Sequence, residues 1–400
     1  MQGSLKDIFD SYVKGGRVFK NKETLSIRFA PDNIPHRDRQ LKQIGLIIAP
    51  VLRNEKPSNI FVYGKTGTGK TLVVSNVINT LLKSADGSDS RLRIIYVNCK
   101  MKKTTDTEYR LLAHLLSYFG ETVPYTGLPT NELYSKFYKY LDSRNQNVII
   151  VLDEVDSLIR KIGDDILYNL TRVNQELDNS QLTIIGISNN ISFIETLDPR
   201  VRSSLSEEEI IFPPYNASEL RDILTERTGQ AFSPGAVPTG VVAKCAALAA
   251  QEHGDARKAL DLLRVAGEIA ERNGSPVVEE KHVDMAEKKL DTDKIMETIH
   301  SQPKQSQAVL KAILSLYGDG EKNIQTGDVY DSYSRICRSN GITPLTQRRV
   351  SDLISELDMF GVINARVTSK GRYGRTRVIN INHPETLIRK MGDFLVGEFG

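Results

Sequence analysis

An α/β domain with a mainly parallel sheet, then a small all-helical domain, then three helices and a β-hairpin: this is the architecture predicted by the 400-residue sequence. Three observations predict it. Up to Tyr215, β-rich runs alternate with helical patterns, the mark of a parallel sheet with crossover helices. From Ala217 to Leu290 the pattern is helical, with no convincing strand. Beyond Ser306, three helical patterns precede two β-rich runs joined by a basic turn with glycines, a winged-helix arrangement.

In the first part the strands are expected at 60–63, 93–98, 148–152, 182–188 and 208–212. The run Val148-Ile149-Ile150-Val151-Leu152 is continuously apolar, as a strand buried on both faces requires. Ligands of such sheets bind beyond the carboxyl ends of the strands. Thr71, Asp153 and Asn189 all fall at or just past such ends.

After the first strand runs Gly64-Lys65-Thr66-Gly67-Thr68-Gly69-Lys70-Thr71, and from Leu72 a helical pattern follows. Strand, glycine loop and helix together form a phosphate-binding loop. Its glycines turn backbone N–H groups inward, and the helix N-terminus adds its positive end. Lys70 is expected on the β- and γ-phosphates and the Thr71 hydroxyl on Mg²⁺. The strand at 148–152 ends in Asp153-Glu154-Val155-Asp156. Asp153 is placed to hold Mg²⁺ with Thr71, and Glu154 to orient the attacking water. The pair of motifs describes a protein that binds ATP or GTP.

Three further positions bear on that chemistry. Asn189, after an apolar strand, can bond the γ-phosphate or the water, or form a strand-end turn. Arg200 and Arg202 share one segment, which can offer a guanidinium to a neighbouring subunit or be a solvated turn. Arg257 opens a helix of the all-helical part and can reach back to the phosphates, or serve an exposed structural role.

Hydrophobic content of 40% and charged content of 26% describe a soluble globular chain of two or three domains. No apolar run is long enough to span a bilayer, and the first residues lack a signal-peptide pattern. Cys99, Cys245 and Cys337 are scattered and odd in number, which points to reduced thiols in a cytoplasmic protein, and no membrane partner is expected. The net charge of +3 matters less than its distribution, because basic residues concentrate near the C-terminus.

There, helices are expected at 307–317, 327–339 and 346–359, and strands at 362–367 and 376–381. In the third helix Val350, Leu353, Ile354 and Leu357 recur at helical spacing as the buried face. Gln347, Arg348 and Ser351 can then point outward at the end that meets base edges, although a merely solvated face shows the same pattern. The turn Ser369-Lys370-Gly371-Arg372-Tyr373-Gly374-Arg375-Thr376-Arg377 holds four basic residues and no acid. Arg372 at its tip suits a narrow minor groove.

These pieces together resemble the AAA+ ATPases, with all motifs in that family's order: Walker A at 64–71, Walker B at 152–156, sensor 1 at Asn189, the arginine region at Arg200 and Arg202, sensor 2 at Arg257. Over nearly the whole chain the resemblance is closer still to the archaeal origin-recognition and Cdc-type initiators of DNA replication. Pro35-His36-Arg37-Asp38 looks like that family's adenine-side segment, the segment 123–130 like its insertion, and 345–353 like its recognition helix. The resemblance implies an AAA+ P-loop base at 1–215, a helical lid at 216–300 and a winged-helix domain at 306–400. It implies ATP/ADP and Mg²⁺ as ligands. Nucleotide would be held by Pro35, His36, Arg37, the loop 64–71, Leu72, Tyr215 and Arg257. Double-stranded origin DNA would be met by Gly127, Gln347, Arg348, Arg349, Lys370, Arg372, Tyr373 and Arg375. The replicative helicase and neighbouring initiator protomers are implied partners. One departure stands out: where many AAA+ proteins carry a Ser-Arg pair, this chain reads Ser203-Ser204. A role in trans then falls to Arg200 or Arg202, and hydrolysis is expected to be slow and switch-like. A branch-migration-type DNA motor and a nucleotide-gated signalling switch are the alternative readings.

Overall fold

The computed structural model describes residues 18–26, 29–31, 33–86, 91–101, 105–124, 127–205, 207–321, 324–369 and 375–399. The chain divides into two compact units, one up to Val283 and one from Asp284.

In the first unit, five parallel strands form one sheet. They are β1 (Ile60–Gly64), β2 (Leu92–Asn98), β3 (Asn147–Asp153), β4 (Gln181–Ser188) and β5 (Glu208–Phe212), in the order β2-β3-β4-β1-β5. The order explains the composition of each strand. Every residue of β3, inside the sheet, is buried. The edge strand β5 alternates, with Ile210 and Phe212 buried and Ile211 exposed. Successive side chains point to opposite faces and build two cores. Ile60, Val62, Ile149 and Val151 pack with α1 (Asp38–Ile48) and α2 (Lys70–Ala85). Phe61, Val148, Ile150 and Leu152 pack with α3 (Glu108–Ser117), α4 (Thr130–Asp142), α5 (Val155–Ile162), α6 (Asp165–Arg172) and α7 (Pro199–Leu205).

The lid of this unit is α8 (Ala217–Ala231), α9 (Thr239–Gln251) and α10 (Ala256–Arg272). Asn216 and Glu219 close a capping box on α8, and Asp255 caps α10 by accepting from the N–H groups of Arg257 and Lys258. An N-terminal strap is stitched to the lid: Phe19 stacks on Phe232 at 4.6 Å, and Gly267 leaves room for the Phe19 ring.

Helix α11 (Glu280–Ser301) runs beyond Leu290, the expected limit of the helical pattern, because Ile295, Met296 and Ile299 continue its apolar face. The polar break near 301–306 does interrupt the helices, but the two units divide earlier, after Val283. In the second unit, α12 (Lys304–Gly318), α13 (Thr326–Ser339) and α14 (Gln347–Met359) pack with a small antiparallel sheet of β6 (Ile324–Gln325), β7 (Asn364–Ser369) and β8 (Arg375–Asn380), ordered β6-β8-β7. The first hairpin strand begins two residues later than expected because Val362 and Ile363 are buried in the core after the Gly361 turn. The second is shifted by one residue, from the expected 376–381. Two elements were not expected. The two-residue β6 is too short to leave a pattern, and α15 (Glu385–Phe399) closes the core with Leu387, Met391, Leu395 and Phe399.

Candidate functional site: a nucleotide cleft and a basic helix end

The loop between β1 and α2 has its shape because three glycines permit it. Gly67 and Gly69 adopt φ of 73° and 90°, which L side chains rarely take. At Gly64 a Cβ would lie 2.4 Å from the Phe212 carbonyl oxygen, so the close pairing of β1 with β5 needs glycine. At Gly67 a Cβ would strike the Asp255 carboxylate, and the Ala256 N–H donates to the Gly67 carbonyl at 3.2 Å. The capped end of lid helix α10 therefore sits directly on the phosphate loop. Helix α2 begins at Lys70 without a side-chain cap, which leaves its first N–H groups available to an anion.

Lys70 is 4% exposed, and its Nζ donates to the Gly64 and Lys65 carbonyls at 2.8 and 2.7 Å. Burial and then the nearby Arg257 charge push its pKa down to about 8. Thr71 Oγ1 donates to Asp153 Oδ2 at 3.1 Å. The Tyr96 hydroxyl, reaching across from β2, donates to the same oxygen at 2.6 Å. Burial, reinforced by Asp153, raises the Tyr96 pKa, so it stays a proton donor. Glu154 follows with φ of 56°, an unusual backbone for a side chain of its size, and its carboxylate lies 3.8 Å from Lys100. Asp156 turns away, accepting from Ser188 at 3.1 Å and Arg160 at 2.9 Å.

A cavity of about 260 Å³ joins these groups. Of the expected nucleotide and catalytic residues, Pro35, Gly67, Gly69, Lys70, Thr71, Leu72, Asp153, Glu154, Asn189, Tyr215 and Arg257 line it. Gly64, Lys65, Thr66, Thr68, His36 and Arg37 do not. Arg37, 2% exposed, lies under the loop instead: Nε donates to the Thr68 carbonyl at 2.9 Å and Nη2 to the Pro213 carbonyl at 2.7 Å. Its guanidinium covers the Tyr215 ring at 3.8 Å, and burial lowers its pKa. His36 pairs with Asp222 of the lid at 3.1 Å. Arg200 and Arg202 lie away from the cavity. Arg200 is bound to Asp198 at 3.0 Å and covers the Tyr168 ring, while Arg202 is exposed.

The cavity also takes in residues that sequence reasoning passed over: Phe29, Ser75, Ile223, Glu226, Arg227 and Leu260. Tyr96 and Arg227 read in the sequence as an ordinary strand tyrosine and an ordinary helix arginine, and no local signal sets them apart.

In the second unit, Thr346 caps α14, and Gln347, Arg348 and Arg349 stand exposed on its first turn. Val350, Leu353, Ile354 and Leu357 are buried beneath them. Arg349 is partly engaged, 3.4 Å from Glu356. Arg377 of β8 donates to the Ser351 carbonyl at 2.7 Å and fastens the hairpin to this helix. Lys370, Arg372 and Tyr373 lie outside the described residues, and of Arg375 only the backbone, in β8, is described. In the segment 123–130, Gly127 is exposed with φ of 114° and open space around it, whereas Tyr125 and Thr126 lie outside the described residues.

Known proteins share both parts. Residues 53–192 match the AAA domain family, 221–288 the Cdc6 AAA+ ATPase-type lid domain, and 297–391 the CDC6 C-terminal winged helix domain. An ORC1-type DNA replication protein of Pyrococcus furiosus is 51% identical over 394 residues, 98% of this chain and 93% of its own length. One from Thermococcus onnurineus is 53% identical over 94% of this chain and 91% of its own.

The chain belongs to the ORC1/Cdc6-type family of AAA+ DNA replication initiators.

The structure of the Aeropyrum pernix ORC1 protein in complex with DNA, 42% identical, superposes with a TM-score of 0.84 over 96% of this chain and 99% of that one. The family's AAA+ core, helical lid and C-terminal winged helix are the parts described above. No described helix is long and apolar enough to cross a membrane. Cys99, Cys245 and Cys337 are buried, unbridged thiols.

Proposed function

We propose that this initiator binds ATP in the cleft, hydrolyses it slowly as a switch, and holds double-stranded origin DNA through its winged helix. The carrying observation is that loop, strand-end and lid residues, Lys70, Asp153, Glu154, Asn189 and Arg257, meet around one cavity. The oxygen donors Thr71 Oγ1 and Asp153 suit Mg²⁺, and among the described residues no cluster of three or more His, Cys, Asp or Glu could hold a metal alone. Thr71 and Asp153 would hold such an ion together with the substrate phosphates, where it would supply positive charge. Backbone N–H groups of the loop and the Lys70 ammonium bind the phosphates. Glu154 orients water, Asn189 holds it or the γ-phosphate, and Arg257 reports the nucleotide state to the lid. Arg200 or Arg202 serves a neighbouring protomer.

On the DNA side, Arg348 with Gln347 and Arg349 reads base edges, and the turn carrying Lys370, Arg372, Tyr373 and Arg375 enters the minor groove. The insertion with Gly127 makes a second contact, and helicase recruitment follows DNA binding. The DNA complex of the Aeropyrum pernix relative supports this reading. Selection of genomic duplex fragments by the purified protein, followed by footprinting, tests it. A short repeated element that is bound by the wild type and lost in both Arg348→Ala and Arg372→Ala is expected. Uniform binding to any fragment, with turnover stimulated equally by all of them, would point to a DNA motor.

A further inference from the structure

Outside the phosphate loop and strand ends the cavity's lining is largely apolar, with Phe29, Ile34, Pro35, Ile223 and Leu260 beside the polar Ser26, Asn33 and Glu226. One charged group is buried there. Arg227 of α8 is 7% exposed, and its guanidinium lies 4.7 Å from the Phe29 ring centroid. Among the described residues its Nη1 is a buried donor with no hydrogen-bond partner. The other two such atoms, on Gln181 and Ser306, lie outside the cavity.

A guanidinium keeps its proton even in a poor environment, so its N–H groups remain donors. Burial lowers the Arg227 pKa, and only the neighbouring Glu226 charge works against that. Leaving a charged donor unpaired in an apolar pocket is costly, and native proteins rarely do so without a use for it. The guanidinium carbon lies over the Phe29 ring, and the N–H groups donate in the guanidinium plane. With phosphates fixed on the loop, the base of a nucleotide occupies this largely apolar part, and a purine carries ring-nitrogen acceptors at its edges.

We infer that Arg227 donates from Nη1 to a ring nitrogen of the bound purine, and so is a specificity residue of the cleft. The inference rests on the reading of the cleft as a nucleotide site. Glu226, which also lines the cavity, supplies an acceptor suited to the exocyclic amine of adenine.

Calorimetry on the full chain with ADP and its 1-deaza, 3-deaza and 7-deaza analogues tests this, in the wild type, Arg227→Met and Arg227→Lys. One analogue should bind the wild type about tenfold more weakly than ADP, the size of one buried hydrogen bond to a charged group. That penalty should vanish in Arg227→Met, which itself binds ADP about tenfold more weakly. Equal affinity of the wild type for all four ligands overturns the inference, as does a penalty that persists unchanged in Arg227→Met. If Arg227→Met does not fold, the wild-type series decides alone, with Arg227→Lys keeping the charge but moving the donor. Failure of the nucleotide reading looks different: the wild type would then bind none of the four.

Discussion

The proposed nucleotide cleft and the proposed DNA-reading first turn of α14 are built in opposite ways. At the phosphate-loop end of the cleft the charged groups are held by partners. Lys70 is fixed by two carbonyls, Asp153 by Thr71 and Tyr96, and Arg37 braces the loop from beneath. On α14, Gln347 and Arg348 stand in solvent on a helix whose stability comes from the opposite, buried face. A site that must orient reacting groups needs preorganisation, whereas one that meets a long polyanion can order its side chains on contact. Substitutions in the cleft should therefore affect function and local order together, and substitutions on α14 function alone.

The largest effect is expected at Glu154. Glu154→Gln should lower ATP turnover about 1000-fold, as loss of a positioned base does, while leaving ADP affinity nearly unchanged. Steady-state phosphate release beside calorimetry checks this, and undiminished turnover would remove Glu154 from the mechanism. Lys70→Ala should weaken ADP binding about 100-fold, since it removes the buried ammonium proposed to bind phosphate. An affinity within a few-fold of wild type would show that the backbone of the loop suffices. Arg348→Ala should cost about 2 kcal/mol of duplex affinity, roughly 30-fold, and flatten base discrimination at one position. Its melting temperature should stay at the wild-type value, and a large drop there would break the contrast between the two regions.

Tyr96→Phe sharpens it. Losing the hydroxyl that orients Asp153 should raise the Mg²⁺ concentration needed for tight ADP binding about tenfold, with metal-free ADP binding unchanged. Equal losses with and without Mg²⁺ would mean only a packing role. The smallest effect concerns pH. The Lys70 pKa is lowered to about 8 in the free cleft, and bound phosphate favours the charged form and raises it. Below pH 8 the ammonium is already charged. Above it, binding must take up a proton, so ADP affinity should fall a few-fold from pH 8 to 9. Calorimetry in buffers of different ionisation enthalpy reads that proton directly.

How much of this was legible in the sequence follows the same division. The phosphate loop could be read because positive φ at Gly67 and Gly69, and the close approach at Gly64, demand glycine at fixed spacing. The apolar run ending at Asp153 could be read because interior parallel strands must be hydrophobic on both faces. Tyr96 and Arg227 could not, because their roles depend on which distant residue the fold sets opposite them. Arg37 shows the converse: its segment carried a signal, but the side chain holds up the loop and does not enter the cavity. The helix α15 did have a signal, Leu387, Met391, Leu395 and Phe399 at intervals of four, but it follows a region where the hairpin dominates the pattern. The offset of the hairpin strands arises because Val362 and Ile363 serve the core before pairing begins, and β-propensity does not distinguish those two uses.

The most direct test of nucleotide-gated origin binding is one salt titration of duplex affinity. It would compare the wild type, Glu154→Gln and Arg348→Ala on a selected genomic element and on a scrambled duplex, each with ATP and with ADP. The expected result is specific binding that differs between the two nucleotides in the wild type, is held in the ATP-like state by Glu154→Gln, and is lost with Arg348→Ala while nucleotide binding survives. Equal affinity for both duplexes, indifferent to nucleotide and to Arg348, would contradict it.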